Sequence, residues 1–109
     1  MLKKKFRLRK KSSFKIVFAQ GKNYSAKHVA IYVIKGPKCF GFIASKKVGN
    51  AVQRNRAKRL MREVIRLHLP DIKNDIQIIL IARPRIKGVS YSEVEESIMN
   101  MLKRANALK

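Results

Sequence analysis

The residues of this sequence that could do chemistry are cationic, and they crowd into residues 46–66. That segment carries eight lysines and arginines and a single acid, Glu63. At about 100° per residue, its side chains divide into two helical faces. The apolar face holds Ala57, Leu60, Met61, Val64, Ile65 and His68. The opposite face holds Arg54, Asn55, Lys58, Arg59, Arg62 and Arg66. A helix of this kind needs a polyanion or an anionic surface as its partner.

The composition of the whole chain points to the same class of partner. Its 109 residues include 27 lysines and arginines but only 6 aspartates and glutamates, a formal net charge of +21. A field of this size attracts polyanions, so RNA or DNA is the first interpretation and an anionic membrane surface the second. A merely soluble basic protein does not need so large an excess of one sign.

Motifs for catalysis by side chains are missing from the sequence. It contains no phosphate-binding loop ending in Gly-Lys-Ser/Thr, no His-Glu-x-x-His zinc motif and no paired cysteine motif. The acids are scattered, whereas a two-metal nuclease needs several converging carboxylates. His68 has no evident catalytic partner and is expected to be a packed or capping residue. We therefore expect a protein that acts on nucleic acid by binding, without a metal or cofactor of its own.

The single cysteine and the short apolar runs bear on where the protein works. Cys39 cannot form an internal disulfide, which fits a reducing compartment, and we expect it to be a partly buried thiol. The longest apolar run, residues 76–82, is too short to span a bilayer. No apolar segment follows the basic N-terminus, as it would in a signal peptide. We expect a cytoplasmic protein that spans no membrane.

The N-terminal part combines a basic arm with a short helix. Residues 1–11 hold seven lysines and arginines, which predicts an arm that is flexible without RNA. Ser12 or Ser13 can cap a helix that runs through about Gln20, with Gly21 positioned to stop it.

Aromatic residues of this first part have two interpretations. Phe14, Val17 and Phe18 share one face of the predicted helix, and core packing is the favoured interpretation from spacing alone. The alternative is a stacking platform for unpaired bases, beside Lys15 and the basic arm. Tyr32 is expected to pack on a sheet, with a base contact as its alternative.

Four strands are predicted from runs of β-branched and aromatic residues. Residues 23–26 are expected to form a linker or a short edge strand. Residues 29–34 and 40–45 are separated by the turn signal Gly36-Pro37, so they are expected to form a hairpin. Residues 76–82 are apolar almost throughout, which favours a strand buried on both faces at the centre of a sheet.

The basic helix has clear boundaries. Gly49 can adopt a positive φ, and Asn50 with Gln53 forms a capping-box pattern. The helix is expected over residues 51–67, because Pro70 disfavours helical geometry in the residue before it.

A last helix is expected over residues 91–106, where Ser90 and Glu93 form a second capping-box pattern. The predicted order is α-β-β-β-α-β-α, an α+β fold of one domain spanning residues 1–109, with helices packed on a small four-stranded sheet. If residues 40–45 and 76–82 are parallel neighbours, the basic helix is the crossover between them.

The run SKKVGNAVQRNRAKRLMR, residues 45–62, closely resembles the signature of the protein component of bacterial ribonuclease P. The hallmark of that family is Arg-Asn-Arg, here Arg54-Asn55-Arg56. The resemblance extends along the chain, through the basic arm, the helix with Phe14 and Phe18, the strand with Tyr32 and the Ala82-Arg83-Pro84 run after the apolar strand.

This resemblance implies a function. Ribonuclease P removes the 5′ leader of precursor tRNA, and in bacteria a large RNA subunit carries the Mg²⁺-dependent chemistry. The family's basic helix and the preceding turn face that RNA, which by position implies contacts from Lys46, Lys47, Asn50, Arg54, Asn55, Arg56, Lys58, Arg59 and Arg62. A cleft between the first helix and the sheet receives the single-stranded leader, which implies contacts from Phe14, Lys15, Phe18 and Tyr32.

The family also implies partners and topology. The partners are the catalytic RNA subunit and precursor tRNA, with no membrane and no obligate protein partner, and Mg²⁺ is required by the RNA-containing holoenzyme. The crossover through the basic helix is left-handed in the family, against a rule that about 98% of such connections obey.

Arg56 lies away from the middle of the basic arc, so it has a different contact or braces the helix. The competing hypotheses are a structural RNA-binding protein of ribosomal type and a membrane-active cationic protein.

Overall fold

The computed structural model describes residues 2–109 and folds them into three helices and one four-stranded sheet. The elements are α1 (Lys11–Gln20), β1 (Lys22–Ser25), β2 (Val29–Lys35), β3 (Cys39–Ile43), α2 (Ala51–His68), β4 (Ile76–Ala82) and α3 (Tyr91–Arg104). Single 3₁₀ turns occur at Lys4–Phe6, Leu69–Asp71 and Pro84–Ile86. The predicted order of elements and the α+β class are confirmed. None of the helices in residues 2–109 has the length and apolar character that crossing a bilayer requires.

The order of strands in the sheet is β1-β2-β4-β3, which corrects one prediction. Residues 29–45 do not form a hairpin, because β4 lies between β2 and β3. The physical reason is that β4 is apolar on both faces and gains most by taking a central position, with a partner strand on each side. The hairpin is instead β1 with β2, which pair antiparallel from Lys22↔Val33 to Ser25↔Ala30.

The basic helix α2 is the crossover between two parallel strands, as predicted. β3 and β4 pair in parallel from Cys39↔Gln77 to Ile43↔Ile81, and parallel neighbours need a connection of this length. The left-handed sense of that connection stays an expectation drawn from the family resemblance.

The two faces of the sheet are covered by different helices. The apolar stripes of α2 and α3 pack with one sheet face into the main core, where Met61, Ile78 and Ile98 are fully buried. On the other face α1 lies against β2 and β4, and Val17 and Ile79 are fully buried outside the main core cluster. Of the predicted stripe on α2, Ala57, Met61, Val64 and Ile65 are buried, while Leu60 and His68 are half-buried.

The predicted helix caps hold for α2 and α3 but not for α1. Asn50 with Gln53 and Ser90 with Glu93 both form complete capping boxes. Gly49, just before the first of these, has a φ of 146°, a conformation that glycine adopts without strain. For α1 the prediction was wrong.

The first turn of α1 starts earlier than a serine cap would place it. The carbonyl of Lys10 accepts hydrogen bonds from the N–H groups of Ser13 and Phe14, so Lys10 is the N-cap and no side chain caps the helix. Gly21 follows the last residue of α1, as predicted, but in an extended conformation with a φ of −75°.

The basic arm lies against β3 in this structure. Leu2 is only 2% exposed and belongs to the main core, while the Leu8 N–H donates to the Phe40 carbonyl at 2.7 Å. The Arg7 guanidinium donates twice to the carbonyl of Leu2, at 3.0 and 2.8 Å, and so fixes the bend between them. The flexibility of this arm without RNA stays a prediction.

Candidate RNA-binding surfaces

The cationic side of α2 and the turn before it form the first candidate site, here called the docking surface. The structure places most of the predicted side chains on the side of α2 that faces away from the core, with Lys46 and Lys47 in the turn before the helix. Lys46, Lys47, Asn50, Asn55 and Arg59 are exposed, and Arg54, Arg56, Lys58 and Arg62 are half-buried. Partial burial leaves the half-buried members fewer side-chain conformations than fully exposed ones.

The charges of the docking surface are not neutralised within the described residues. The ion pairs in residues 2–109 join Glu63 to Arg66 and His68 to Asp71 and Glu95, and none involves a predicted docking cation. Protein carboxylates therefore do not compete with an incoming anion for those cations. A surface of this kind gains affinity for RNA by replacing the counterions of several phosphates.

Arg66 is the one cation of the basic face that the structure pairs. Its guanidinium donates three hydrogen bonds to the carboxylate of Glu63, one turn earlier on α2. This contact lowers the pKa of the Glu63 carboxyl and raises the pKa of Arg66. The spacing of i and i+3 indicates such a pair from sequence. Glu63 thus has its charge matched locally and does not weaken the field of the neighbouring arginines.

Arg56 differs from its neighbours, as its position on the helical wheel indicates. One of its guanidinium nitrogens donates to the backbone carbonyl of Val89 at 2.8 Å, in the loop that leads into α3. This bond braces α2 against that loop. Other nitrogens of the guanidinium remain free to contact RNA, so bracing and binding are compatible.

The second candidate site is the cleft that the family resemblance implies, between α1 and the sheet face opposite the main core. The strand registers place Asn23, Tyr32, Ile79 and Gly41 in one row across this face. The ring of Phe14 lies over Gly41 at one end of the row, where a Cβ atom would stand 2.6 Å from the ring. Gly41 is therefore what allows α1 to approach the sheet so closely.

The aromatic side chains of the cleft both pack and stay accessible. Phe18 meets Tyr32 edge to face, with ring centroids 4.9 Å apart and planes at 75°. Phe18 is nevertheless 39% exposed, and Phe14 and Tyr32 are half-buried. Lys15 is exposed on the same helix. Core packing and base stacking, which are alternatives in the sequence, are thus compatible in the structure.

Two residues that shape this cleft are missing from the predicted site. Gly41 sits inside an apolar strand, and an isolated glycine there is a signal of close approach by another part of the chain. Ile79 lies beside it on β4 and is fully buried where α1 packs on the sheet. Cys39 is half-buried at the start of β3, as expected, and burial raises the pKa of its thiol.

Comparisons with known proteins place the chain among bacterial proteins of one kind. A family model described as Ribonuclease P matches residues 2–106. The chain is 40% identical over 109 residues to the ribonuclease P protein component of Clostridium novyi, covering 95% of this chain and 96% of that protein. It is also 40% identical over 111 residues to the component of Dictyoglomus turgidum, covering 97% and 93%.

Solved structures agree with the sequence comparisons. The ribonuclease P protein of Staphylococcus aureus superposes with a TM-score of 0.84 at 29% identity, covering 95% of this chain and 98% of that one. The protein from Thermotoga maritima superposes with a TM-score of 0.81 at 28% identity, covering 90% and 96%.

Proposed function

Because the chain belongs to the ribonuclease P protein family, it is the accessory protein subunit of an RNA-based endoribonuclease, and we propose which of its surfaces contact the two RNAs. The docking surface on α2 binds the catalytic RNA subunit. The cleft beside α1 binds the 5′ leader of precursor tRNA. The hypothesis of a ribosomal-type protein has no support in the comparisons, since the relatives described above are all ribonuclease P proteins.

The observation that carries the first assignment is the row of unpaired cations on a rigid helix. A folded RNA presents phosphates at fixed spacings, and α2 offers cations at fixed spacings because its other side is buried in the core. The capping box of Asn50 and Gln53 also fixes the turn that carries Lys46 and Lys47. The backbone of this surface is thus in place before RNA binds, so less conformational entropy is lost on docking.

Partly exposed aromatic side chains beside the sheet support the second assignment. A single strand exposes the faces of its unpaired bases, and the partly exposed rings of Phe14, Phe18 and Tyr32 offer stacking partners without sequence readout. Lys15 stands close by in sequence to meet a phosphate. A leader of any sequence can be held in this way, which suits an enzyme that must process many precursor tRNAs.

In this proposal the RNA subunit, and not the protein, binds Mg²⁺. Within residues 2–109 no group of three or more His, Cys, Asp and Glu side chains is arranged to hold a metal ion. The ion supplies the activated water and the charge neutralisation of phosphodiester hydrolysis when it is bound in the holoenzyme. The protein's cations neutralise phosphates nearby and so reduce the Mg²⁺ concentration that folding of the complex requires.

The cytoplasm, where bacterial precursor tRNA is made, is the proposed location.

The test is reconstitution with the cognate RNA subunit. The protein alone should cleave no precursor tRNA, whereas adding it to the RNA subunit should stimulate cleavage at low Mg²⁺. A double variant of the docking surface, Arg54→Gln with Arg59→Gln, should need more protein for the same stimulation. The matched control, Lys27→Gln with Lys103→Gln, removes the same charge from exposed positions elsewhere and should behave as wild type. An equal loss of stimulation in both double variants would mean that binding depends on the net charge of the protein and not on the position of these arginines.

The leader contact is tested with two substrates. Replacing Phe14 with Ala should weaken holoenzyme binding of precursor tRNA by about 1–3 kcal/mol if the ring stacks on a base. Mature tRNA, which has no leader, should bind as before. An equal loss for both tRNAs, together with a lower thermal stability, would assign Phe14 to packing alone.

A further inference from the structure

A shallow hollow of about 340 Å³ lies at the free edge of β3, between the basic arm and α2. It is called here the β3-edge hollow. Four cationic side chains converge on it from two separate elements, Arg7 and Arg9 from the arm and Lys58 and Arg62 from α2. The rings of Phe14 and Phe42 complete its wall. Its volume falls within the range of about 300–1,000 Å³ that is typical of ligand sites.

The charge of the β3-edge hollow is uncompensated. In residues 2–109 no carboxylate stands within ion-pair distance of Arg9, Lys58 or Arg62. Arg7 already uses two of its nitrogens to hold the carbonyl of Leu2, so its first role is to fix the arm. Like charges brought this close repel one another, and an anion between them would relieve that repulsion.

The backbone of β3 adds a donor to the same place. β3 is an edge strand, and its Phe40 carbonyl accepts from Leu8 of the arm. Because alternate residues of a strand direct their backbone groups to the same side, the N–H of Phe42 also faces this edge. The bridge between the arm and β3 is confined to Arg7 and Phe40, and in residues 2–109 the Phe42 N–H donates no hydrogen bond outside the sheet ladder.

The aromatic wall is held in place from behind. Phe14 cannot retreat into the sheet because its ring already lies on Gly41, and Phe42 is half-buried against the main core. The hollow therefore combines four cations, one backbone donor and one aromatic side chain on each face of β3. Phosphate and base are the two parts of one nucleotide that match these groups.

We propose that the β3-edge hollow binds one unpaired nucleotide of an RNA strand, with its phosphate held by Arg9, Lys58 and Arg62 and its base against Phe42, which lies on the same face of the sheet as α2. The proposal rests on the function proposed above, because the hollow joins the docking surface to the cleft beside α1. It adds Arg9 and Phe42 to the RNA contacts. It also gives the arm a role, which is to close one side of a nucleotide site.

The strand that supplies this nucleotide is either the RNA subunit or the leader, and a tethered probe distinguishes them. Since Cys39 is the only cysteine, a Cys39→Ser chain with Arg9→Cys carries a single thiol for a hydroxyl-radical-generating chelate. Cleavage confined to one short unpaired segment, in either RNA, is the expected result. The same probe at Lys103→Cys should cut neither segment. Diffuse cleavage with no preferred segment would overturn the proposal.

A salt titration tests the phosphate contact without a probe. Replacing Arg9 with Gln should lower the slope of log affinity against log salt by roughly 0.7 for the RNA that contains the segment, the value for one single-strand phosphate. Lys103→Gln should leave the slope unchanged. An Arg9→Gln slope equal to wild type would also overturn the proposal. Wild-type protein that failed to bind the RNA subunit at all would instead defeat the function proposed above.

A fluorescence measurement tests the base contact. The chain contains no tryptophan, so Phe42→Trp introduces a single reporter in the wall of the hollow. Stacking of a base on the indole should quench its emission when the RNA binds, and Tyr24→Trp on the far strand β1 serves as the control. Circular dichroism verifies that both variants fold. Phe42→Trp emission that is unchanged by a bound RNA would exclude base contact in the hollow.

Discussion

The guanidinium Nη2 of Arg56 lies 2.8 Å from the backbone carbonyl oxygen of Val89, and this bond joins the Arg-Asn-Arg segment to the loop before α3. Arg59, one turn later on α2, is exposed and has no ion pair in residues 2–109. Two arginines of one helix thus differ in their contacts within the protein. Arg56 stabilises the position of α2 in the fold, whereas Arg59 is free for RNA.

Replacing Arg56 should mainly lower the stability of the protein, whereas replacing Arg59 should mainly weaken its binding to RNA. Arg56→Gln should lower the free energy of unfolding by about 1 kcal/mol through the lost hydrogen bond, which for a domain of this size is about 4–8 °C in Tm. Arg59→Gln should change stability by no more than about 0.5 kcal/mol but reduce the salt slope of RNA-subunit binding by about 1. Thermal unfolding and salt titration measure the two effects. Identical changes in both variants would contradict this division.

A methyl group at position 41 should weaken leader binding because it would displace the Phe14 ring. In a Gly41→Ala variant the new Cβ would lie within 2.6–2.7 Å of the Phe14 ring, so the ring must move toward the cleft. Overpacking of this kind costs about 1–3 kcal/mol of stability. Binding of leader-containing substrate should weaken, while binding of mature tRNA, which has no leader, should not change. Substrate affinity measured with and without the leader provides the check.

The companion variant for Gly41→Ala is the double change Gly41→Ala with Phe14→Leu, in which the smaller side chain makes room for the methyl group. Stability should be partly restored, but leader affinity should stay low because the aromatic ring is gone. Full recovery of leader affinity would show that Phe14 only packs against the sheet and does not stack on a base.

The helices and strands of this protein are predictable because their signals are local. A capping box such as Asn50 with Gln53 lies within one turn, and the alternation or continuity of apolar residues distinguishes each strand. Strand pairing is not local. Nothing near residues 29–45 indicates that β4 will insert between β2 and β3, since that depends on the gain from burying both faces of a distant segment.

The candidate site shows the same limit. The docking cations are evident from sequence because one helix carries them, and helical spacing alone places them on one side. The cleft beside α1 needs residues from four elements in register, so the closeness of Gly41 to Phe14 follows only from the fold. The convergence of Arg9 with Lys58 likewise joins residues that are remote in sequence.

Stability of the free protein should depend strongly on salt. The net charge is +21, and the radius of gyration is 12.6 Å. Raising the salt from about 0.01 M to about 0.1 M shortens the Debye length from about 30 Å to about 10 Å, so repulsion across the whole molecule becomes screened. The Tm should therefore rise over this range, as scanning calorimetry can measure. A Tm that is flat or falls with salt would show that the repulsion is already relieved in the folded state.

Acid should weaken the link between α2 and α3 at Glu95. Its carboxylate accepts hydrogen bonds from His68 Nε2 at 2.7 Å and from Tyr91 at 3.2 Å, and the bond from His68 holds the pKa of Glu95 below its ordinary value of 4.5. A carboxyl whose pKa is lower in the folded state adds stability above the unfolded pKa and loses it as the pH falls through the folded pKa. The Tm difference between wild type and Glu95→Gln should thus be full near pH 6 and shrink below about pH 4.5.

The control for this acid effect is Glu96→Gln, at the next position of α3. Glu96 is exposed and forms no ion pair within residues 2–109, so its variant should follow the wild-type Tm at every pH. Thermal unfolding of the three proteins between about pH 3 and pH 7 spans the ordinary glutamate pKa and measures both differences. A Glu95→Gln deficit that stayed constant through acid would mean that the carboxylate charge is not what joins His68 to α3. Shape and hydrogen bonding at position 95 would then be sufficient.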